Sequence, residues 1–414
     1  MLAGVALAAL ALGLTVPFLV LYLHEARGFS LALAGVTMAC VPLAAVVLNL
    51  VAGPLVDRVG PRRVLIGMLL AGASGAVAMA LVTRPWQAPL AACVFGAGTT
   101  TAWVGVQPLL ATVVPPERRA DAFAVQFALL NASIGAGGLV AGFVLDFDRA
   151  ATFQVLLVAA AGCFLGFAAL VGVLPEPVAS QAAPERGRGG YRAVVRDRAF
   201  RRLWLLNAVL VLVGTSQLEN AFPAFAAEEG GASPRVIGLA FAVNTGAIVA
   251  GQFFVLRWVR GRRRTRGIVV QAAFWSAAWL LVLAGGALDT VVLFVIAPLL
   301  FACGEMLHSP IVPAIVNDLA PDELRGRYNA AAAMSWQGGR IGGSVLAGAV
   351  LGAGLGGPLL VAFVGGCGLA AVLALSLERR LDPAANGVPY AEEGRHVRGI
   401  PSAHGRPAAS GDPA

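Results

Sequence analysis

The sequence predicts an all-α membrane protein of twelve transmembrane helices, arranged as two pseudo-symmetric six-helix halves. Three observations predict it. Of the 414 residues, 58% are hydrophobic and only 13% charged, against roughly 25% charged in ordinary soluble domains; mean hydropathy is +0.80. Apolar segments of about 20 residues, the length that crosses a bilayer, recur twelve times. Marks in the first half of the chain return at a constant offset in the second. A chain this apolar cannot hide its surface in a soluble core, so its solvent is the lipid bilayer. The 51 glycines suit helices that approach closely in lipid.

The first six segments lie near 1–23, 31–53, 64–83, 88–114, 121–145 and 152–174. Met1 to Leu23 has no basic n-region, and its apolar run is too long for an h-region, so it reads as a retained first helix rather than a signal peptide. The second six lie near 202–226, 235–257, 267–287, 290–315, 327–351 and 357–377. Residues 1–174 and 202–377 thus form an N-terminal and a C-terminal six-helix bundle. Between them 175–201, rich in Arg, Gly, Pro and Ala, reads as a cytoplasmic linker. Residues 378–414 have the composition of a disordered cytoplasmic tail.

The net charge is +8, and all 30 basic residues are arginines. In a soluble protein that would suggest nucleic acid. Here the arginines sit in short loops between apolar runs, which points to membrane orientation and no nucleic-acid partner. With the N-terminus inside, only Arg27, Arg84, Arg149 and Arg235 fall on outer loops, twenty-five fall inside, and Arg340 lies within a span. That bias places a multi-pass protein in the cell membrane with both termini cytoplasmic. Cys40, Cys93, Cys163, Cys303 and Cys367 all lie in apolar runs without CxxC spacing, so packing is expected of them, not disulfides or a metal.

A shift of 206 residues lays Pro17 on Pro223, Pro115 on Pro321, Glu117 on Glu323, Arg119 on Arg325, Gly137 on Gly343 and Gly142 on Gly348. One offset across three helix–loop regions marks an internal repeat. Parallel repeats of this kind build several transporter folds, with substrate held between the repeats.

The loop between the second and third spans reads Gly53-Pro-Leu-Val-Asp57-Arg58-Val-Gly60-Pro-Arg62-Arg63. Gly53 permits close approach where a helix ends, Gly60 a tight turn, and Asp57 can pair with arginine or a helix N-terminus. The segment resembles the signature loop of the major facilitator superfamily, G-x-L-x-D-R-x-G-R-R, except at Pro61. The resemblance implies the major facilitator fold and a loop that latches the two halves on the cytoplasmic side. A plain basic anchoring turn is the alternative. In the fifth span, Ser133-Ile-Gly135-Ala-Gly137-Gly138-Leu-Val-Ala141-Gly142 is similar to the antiporter motif G-x-x-x-G-P-x-x-G-G, departing at Gly138 and Ala141; helix packing explains it equally well. In the tenth, Gly304-Glu305-Met306-Leu307-His308-Ser309-Pro310, followed by Leu319 to Tyr328, is similar to bacterial twelve-helix drug:proton antiporters. The arginine such antiporters often carry in the fourth span is absent, since no charge occurs between Leu90 and Pro116.

Ionisable residues inside a span are costly and by default functional. Glu219, Glu305 and Arg340 stand out. Counting 1.5 Å per residue, Glu305 and Arg340 lie at similar depth, about 20 Å from the inner face, so an ion pair between them is expected. Burial favours the neutral acid, and a nearby guanidinium favours the carboxylate. Glu305 is therefore expected to bind a coupling proton and Arg340 to help release it; a static pair fixing helix packing is the alternative. Glu219 lies nearer the outer side. With Thr99, Trp103, Gln107 and His308 it is a candidate for lining a substrate cavity. His24 and Glu25 read as solvated loop residues.

No phosphate loop, zinc-ligand spacing or nucleophile–base arrangement occurs, so no cofactor, no catalytic residue and no ATP-driven step is expected. The resulting expectation is a monomeric secondary transporter, driven by protons, that exports small apolar or amphipathic compounds. Proton-coupled uptake of a metabolite is the alternative, and a membrane-embedded enzyme a remote one.

Overall fold

The computed structural model describes residues 1–113, 119–173 and 191–388; side chains at 49–54, 57, 100–105, 107–113, 119–121, 123, 124 and 191 lie outside the description. The first half contains α1 (Leu2–Thr15) and α2 (Leu19–Leu21), which together make the first span, then α3 (Leu31–Val59), α4 (Pro61–Ala80), α5 (Gln87–Val113), α6 (Arg119–Val144) and α7 (Ala150–Gly172). A short α8 (Tyr191–Arg196) leads into the second half. There α9 (Arg198–Val213), α10 (Thr215–Glu219) and α11 (Ala221–Glu228) make the seventh span, followed by α12 (Pro234–Val259), α13 (Arg264–Ala287), α14 (Val291–Leu319), α15 (Arg325–Leu351) and α16 (Gly356–Glu378). Among the described residues, 10 helices are long and apolar enough to cross a membrane. α5 and α15, 27 residues each, complete the twelve.

The packing repeats between halves. α1 lies on α6 and α7, α4 on α5 and α7, and α3 on α5; likewise α9 lies on α15 and α16, α13 on α14 and α16, and α12 on α14. The halves meet along α3–α15 and α6–α12, second span with eleventh and fifth with eighth, as a two-fold relation requires. Matched glycines make both crossings. A Cβ on Gly348 would lie 2.5 Å from the Leu31 carbonyl oxygen and 2.7 Å from Gly35 Cα; one on Gly142 would lie 2.8 Å from the Pro234 oxygen and 3.0 Å from Gly238 Cα. Only glycine lets these backbones touch. Both crossings sit toward the face that carries Arg27, Arg84, Arg149 and Arg235, called here the arginine-poor face. The Arg235 guanidinium also lies 5.9 Å above the Phe143 ring across the second crossing.

The first and seventh spans both break near that face. Thr15 (φ −117°, ψ −54°) precedes a 3-10 turn, Val16–Phe18, and a π turn, Tyr22–Ala26. Pro17 cannot donate to the helix ladder, which favours a break there. The seventh span breaks at Gly214 (φ −114°, ψ −103°) and Asn220 (φ −116°, ψ −66°). Within lipid a freed carbonyl must find a donor. Gln217 supplies it, donating from Nε2 to the Leu212 oxygen at 2.6 Å and to the Gly343 oxygen at 3.0 Å.

At the opposite, arginine-rich face the signature loop is short. α3 ends at Gly60, whose φ of 92° favours glycine. Pro61, the departure from the family pattern, opens α4 at the first helical position, where its missing N–H costs nothing. Arg62 donates to the Gly172 carbonyl at the end of α7, within its own half. Arg58 is exposed. Gly53 and Asp57 fall among the positions whose side chains lie outside the description.

Two stretches expected to be irregular are partly folded. The linker 175–201 ends in α8 and the first turn of α9. Asp197 caps α9, accepting from the Ala199 and Phe200 amides at 2.8 and 3.1 Å, and receives the Tyr328 hydroxyl at 2.9 Å. Within the tail expected to be disordered, 378–414, the described residues up to 388 pack against the start of α13. Asn386 Oδ1 accepts from the Thr265 amide at 3.0 Å, and its carbonyl from the Arg264 amide at 2.8 Å. Unpaired amides at a helix start draw such acceptors. Glu378 meets Arg263 and, at 3.6 Å, Arg266, while Asp318 meets Arg264. These carboxylates balance an arginine loop that has no acid of its own.

Candidate functional site

Polar side chains converge between the halves on two adjoining cavities, both lined by Trp336. The larger, about 430 Å³, runs from Glu305 and His308 on α14 to Asn329 on α15. Asn329 is exposed and one turn from the start of its helix, so this cavity leads toward the arginine-rich face. The smaller, about 230 Å³, is lined by Thr99, Glu219 and Arg340. The glycine crossings close the arginine-poor side.

Prolines prepare the wall of the larger cavity. Pro310 lacks an N–H, so the Met306 carbonyl four residues earlier is freed. Gln252 of α12 donates to it at 3.4 Å. About two turns toward the other face, Asn244 bridges α12 and α14: its Nδ2 donates to the Pro298 carbonyl at 3.1 Å and to Glu305 Oε2 at 2.9 Å. Among the described residues Glu305 has no cationic partner. His308 is buried, with its Nδ1 3.0 Å from Gln271 Nε2 and its ring between Trp275 and Trp336, centroids 6.1 and 5.5 Å away.

The expected Glu305–Arg340 pair does not form. Arg340 is held by Glu219 on α10, Nη1 to Oε1 at 3.3 Å and Nη2 to Oε2, a two-pronged arrangement. Helical rise sets depth but not direction. The break at Gly214 turns Glu219 toward α15, and Arg340 opens into the smaller cavity, not the larger. Thr99 lies across that same cavity, its hydroxyl spent on the Phe95 carbonyl at 2.8 Å. The candidates Trp103 and Gln107 fall on α5, where their side chains lie outside the description.

Sequence reasoning missed Asn244, Gln252, Gln271 and Trp336. A signal existed for two of them. Asn244 and Gln252 stand eight residues apart in one apolar span, hence on one helix face.

A helical bundle of two repeated halves, closed at one face and hollow toward the other, narrows the family, and the comparison decides it. The model of the Major Facilitator Superfamily matches residues 1–344 and, overlapping them, 220–409. The chain belongs to the Major Facilitator Superfamily. This superfamily member is 25% identical over 369 residues to the Na(+), Li(+), K(+)/H(+) antiporter of Planococcus maritimus, spanning 78% of this chain and 82% of that protein. It is 24% identical over 319 residues to the multidrug resistance protein MdtH of Cronobacter sakazakii, spanning 75% and 76%. Its fold is similar to the crystal structure of the peptide transporter POT in complex with sulfate, with TM-score 0.70 and 16% identity over 93% of this chain and 94% of that one. The chain is thus a membrane transporter of the superfamily and not an enzyme.

Proposed function

We propose that this transporter works by alternating access as a proton-coupled exporter of small apolar or amphipathic compounds. It acts as a monomer in the cell membrane, with both termini and the arginine-rich face in the cytoplasm. One observation carries the reading: Glu305 lines the larger cavity and, among the described residues, is held by the neutral amide of Asn244 with no cationic partner. A carboxyl with no cation beside it can be protonated without orphaning a charge, so proton gain and loss fit this position. Arg340, engaged by Glu219, is left out of the coupling step. It instead shapes the smaller cavity.

The larger cavity supports an amphipathic cargo. Asn207, Gln252 and Asn329 bring polar side chains to its wall. A few polar groups in such a wall favour a guest carrying N–H or O–H groups. Ile248, Val312 and Trp336 beside them suit its apolar body. The multidrug and cation/proton antiporter relatives agree with export against proton entry.

The test is dye and drug accumulation in cells with and without the protein, each with and without an uncoupler. Export predicts less accumulation with the protein and loss of that difference when the gradient collapses. Glu305→Gln is expected to abolish gradient-driven flux while leaving expression intact. Greater accumulation with the protein present would turn the reading to uptake, and unchanged flux in Glu305→Gln removes the coupling role.

A further inference from the structure

The two halves also meet through charged side chains at the arginine-poor face. His24 and Glu25, expected to be solvated loop residues, lie in the π turn that ends the first span. Glu228 is the last residue of α11. His24 Nε2 and Glu228 Oε1 are 3.4 Å apart, and the ligand atoms of His24, Glu25 and Glu228 all lie within 4.8 Å of one another. The other ring nitrogen, Nδ1, is 2.7 Å from the Phe29 carbonyl oxygen. That oxygen can only accept, so Nδ1 carries the proton. In the neutral form of the ring this leaves the Nε2 lone pair facing the Glu228 carboxylate, with the Glu25 carboxylate alongside. Three electron-rich atoms facing one another call for a cation among them.

A second proton on Nε2 is one such cation. A charge-assisted N–H···O bond, however, spans about 2.7–2.9 Å, shorter than the gap here. Tetrahedral coordination with metal–ligand bonds of about 2.0–2.2 Å sets neighbouring ligands roughly 3.3–3.6 Å apart, which matches it. A ring nitrogen fixed from behind by a backbone carbonyl is also the usual bearing of a metal-binding histidine.

We propose that His24, Glu25 and Glu228 form a site for a transition-series divalent cation such as Zn²⁺, entering from the solution at the arginine-poor face. Imidazole with carboxylates favours zinc over calcium or magnesium, and the exposure of both glutamates leaves room for water as a fourth ligand. The ligands come from both halves, His24 and Glu25 from the first and Glu228 from the second. A bound ion therefore ties the halves together in the arrangement closed at this face and slows transport. Glu228 stands 204 residues from His24, so no spacing motif announces the site.

The probe is Zn²⁺ alone, titrated calorimetrically into the full chain in lipid nanodiscs without cargo, so that binding is read independently of transport. One ion per chain, reversed by chelator, is expected, and His24→Gln and Glu228→Gln should each weaken it by about tenfold or more, the loss that even an outer-shell partner brings. Both variants should melt as wild type does without metal, and only wild type should gain thermal stability with Zn²⁺. External Zn²⁺ should slow flux in wild type and spare His24→Gln. Equal affinity in wild type and both variants, or no binding in wild type, overturns the site and leaves a proton as the bridging cation. Binding without any effect on flux overturns the coupling between halves.

Discussion

Arg340 on α15 and Glu219 on α10 engage each other by both terminal guanidinium nitrogens and both carboxylate oxygens, and both side chains, each about a quarter exposed, line the smaller cavity. The pair joins the eleventh span to the broken middle of the seventh, within one half. Removing one member leaves the other charge unpaired. Glu219→Gln and Arg340→Gln are each expected to cost about 2 kcal/mol, less than the ~3–5 kcal/mol of a fully buried pair because the cavity admits water. The double variant should recover most of that loss. Thermal unfolding of the four proteins checks it; additive losses would mean that the pair contributes nothing as a pair.

The glycine crossings predict a conformational phenotype. Gly348→Val puts side-chain atoms where the Leu31 carbonyl and Gly35 backbone now lie. Overpacking of this kind costs about 1–3 kcal/mol, and it falls only on the state closed at the arginine-poor face. At about 1.4 kcal/mol per factor of ten, that state should lose roughly tenfold in population. Labelling of Thr99→Cys by a membrane-impermeant thiol reagent from the arginine-poor side should accelerate accordingly. Gly142→Val, the repeat-related change, should act the same way.

The strap at residues 382–388 predicts a stability effect far from any cavity. Asn386→Ala removes the oxygen that caps α13. Loss of such a cap costs about 0.5–2 kcal/mol. A lower melting temperature with an unchanged KM is expected; a changed KM with unchanged melting would contradict a purely structural role.

Trp336 lines both cavities. Trp336→Ala should join them into one space, raise KM for flat apolar cargo several-fold and admit larger compounds. Flux measured across a size series of dyes checks this; an unaltered size limit would show that the ring does not divide the space.

The fold was legible because its signals are local or periodic. Apolar length gave the spans, and a single offset gave the repeat that Gly142 and Gly348 express in three dimensions. The π turn around His24 and the breaks at Gly214 and Asn220 were not legible, because isolated residues inside an apolar run leave hydropathy unchanged. The site was half legible. Depth arithmetic identified Glu219, Glu305 and Arg340 as unusual, yet it paired Arg340 with the wrong acid. Pairing depends on helix rotation, and the broken seventh span resets that rotation. Asn244 escaped notice because a neutral amide carries none of the cost that makes a buried charge conspicuous. Asn386 escaped because its composition resembles a tail, and only its partner at the start of α13 reveals its task.

The crossings at Gly35–Gly348 and Gly142–Gly238 bring main chain against main chain with no side chains between. Contacts made by side chains freeze rotamers each time they form. These freeze none. Under the proposed alternating access these main-chain contacts can part and re-form without ordering side chains, and the Arg235–Phe143 contact beside them adds the ordering of one pair. On the proposed cation site, how long the arginine-poor face stays shut would then depend on the charged residues at the ends of the first and seventh spans.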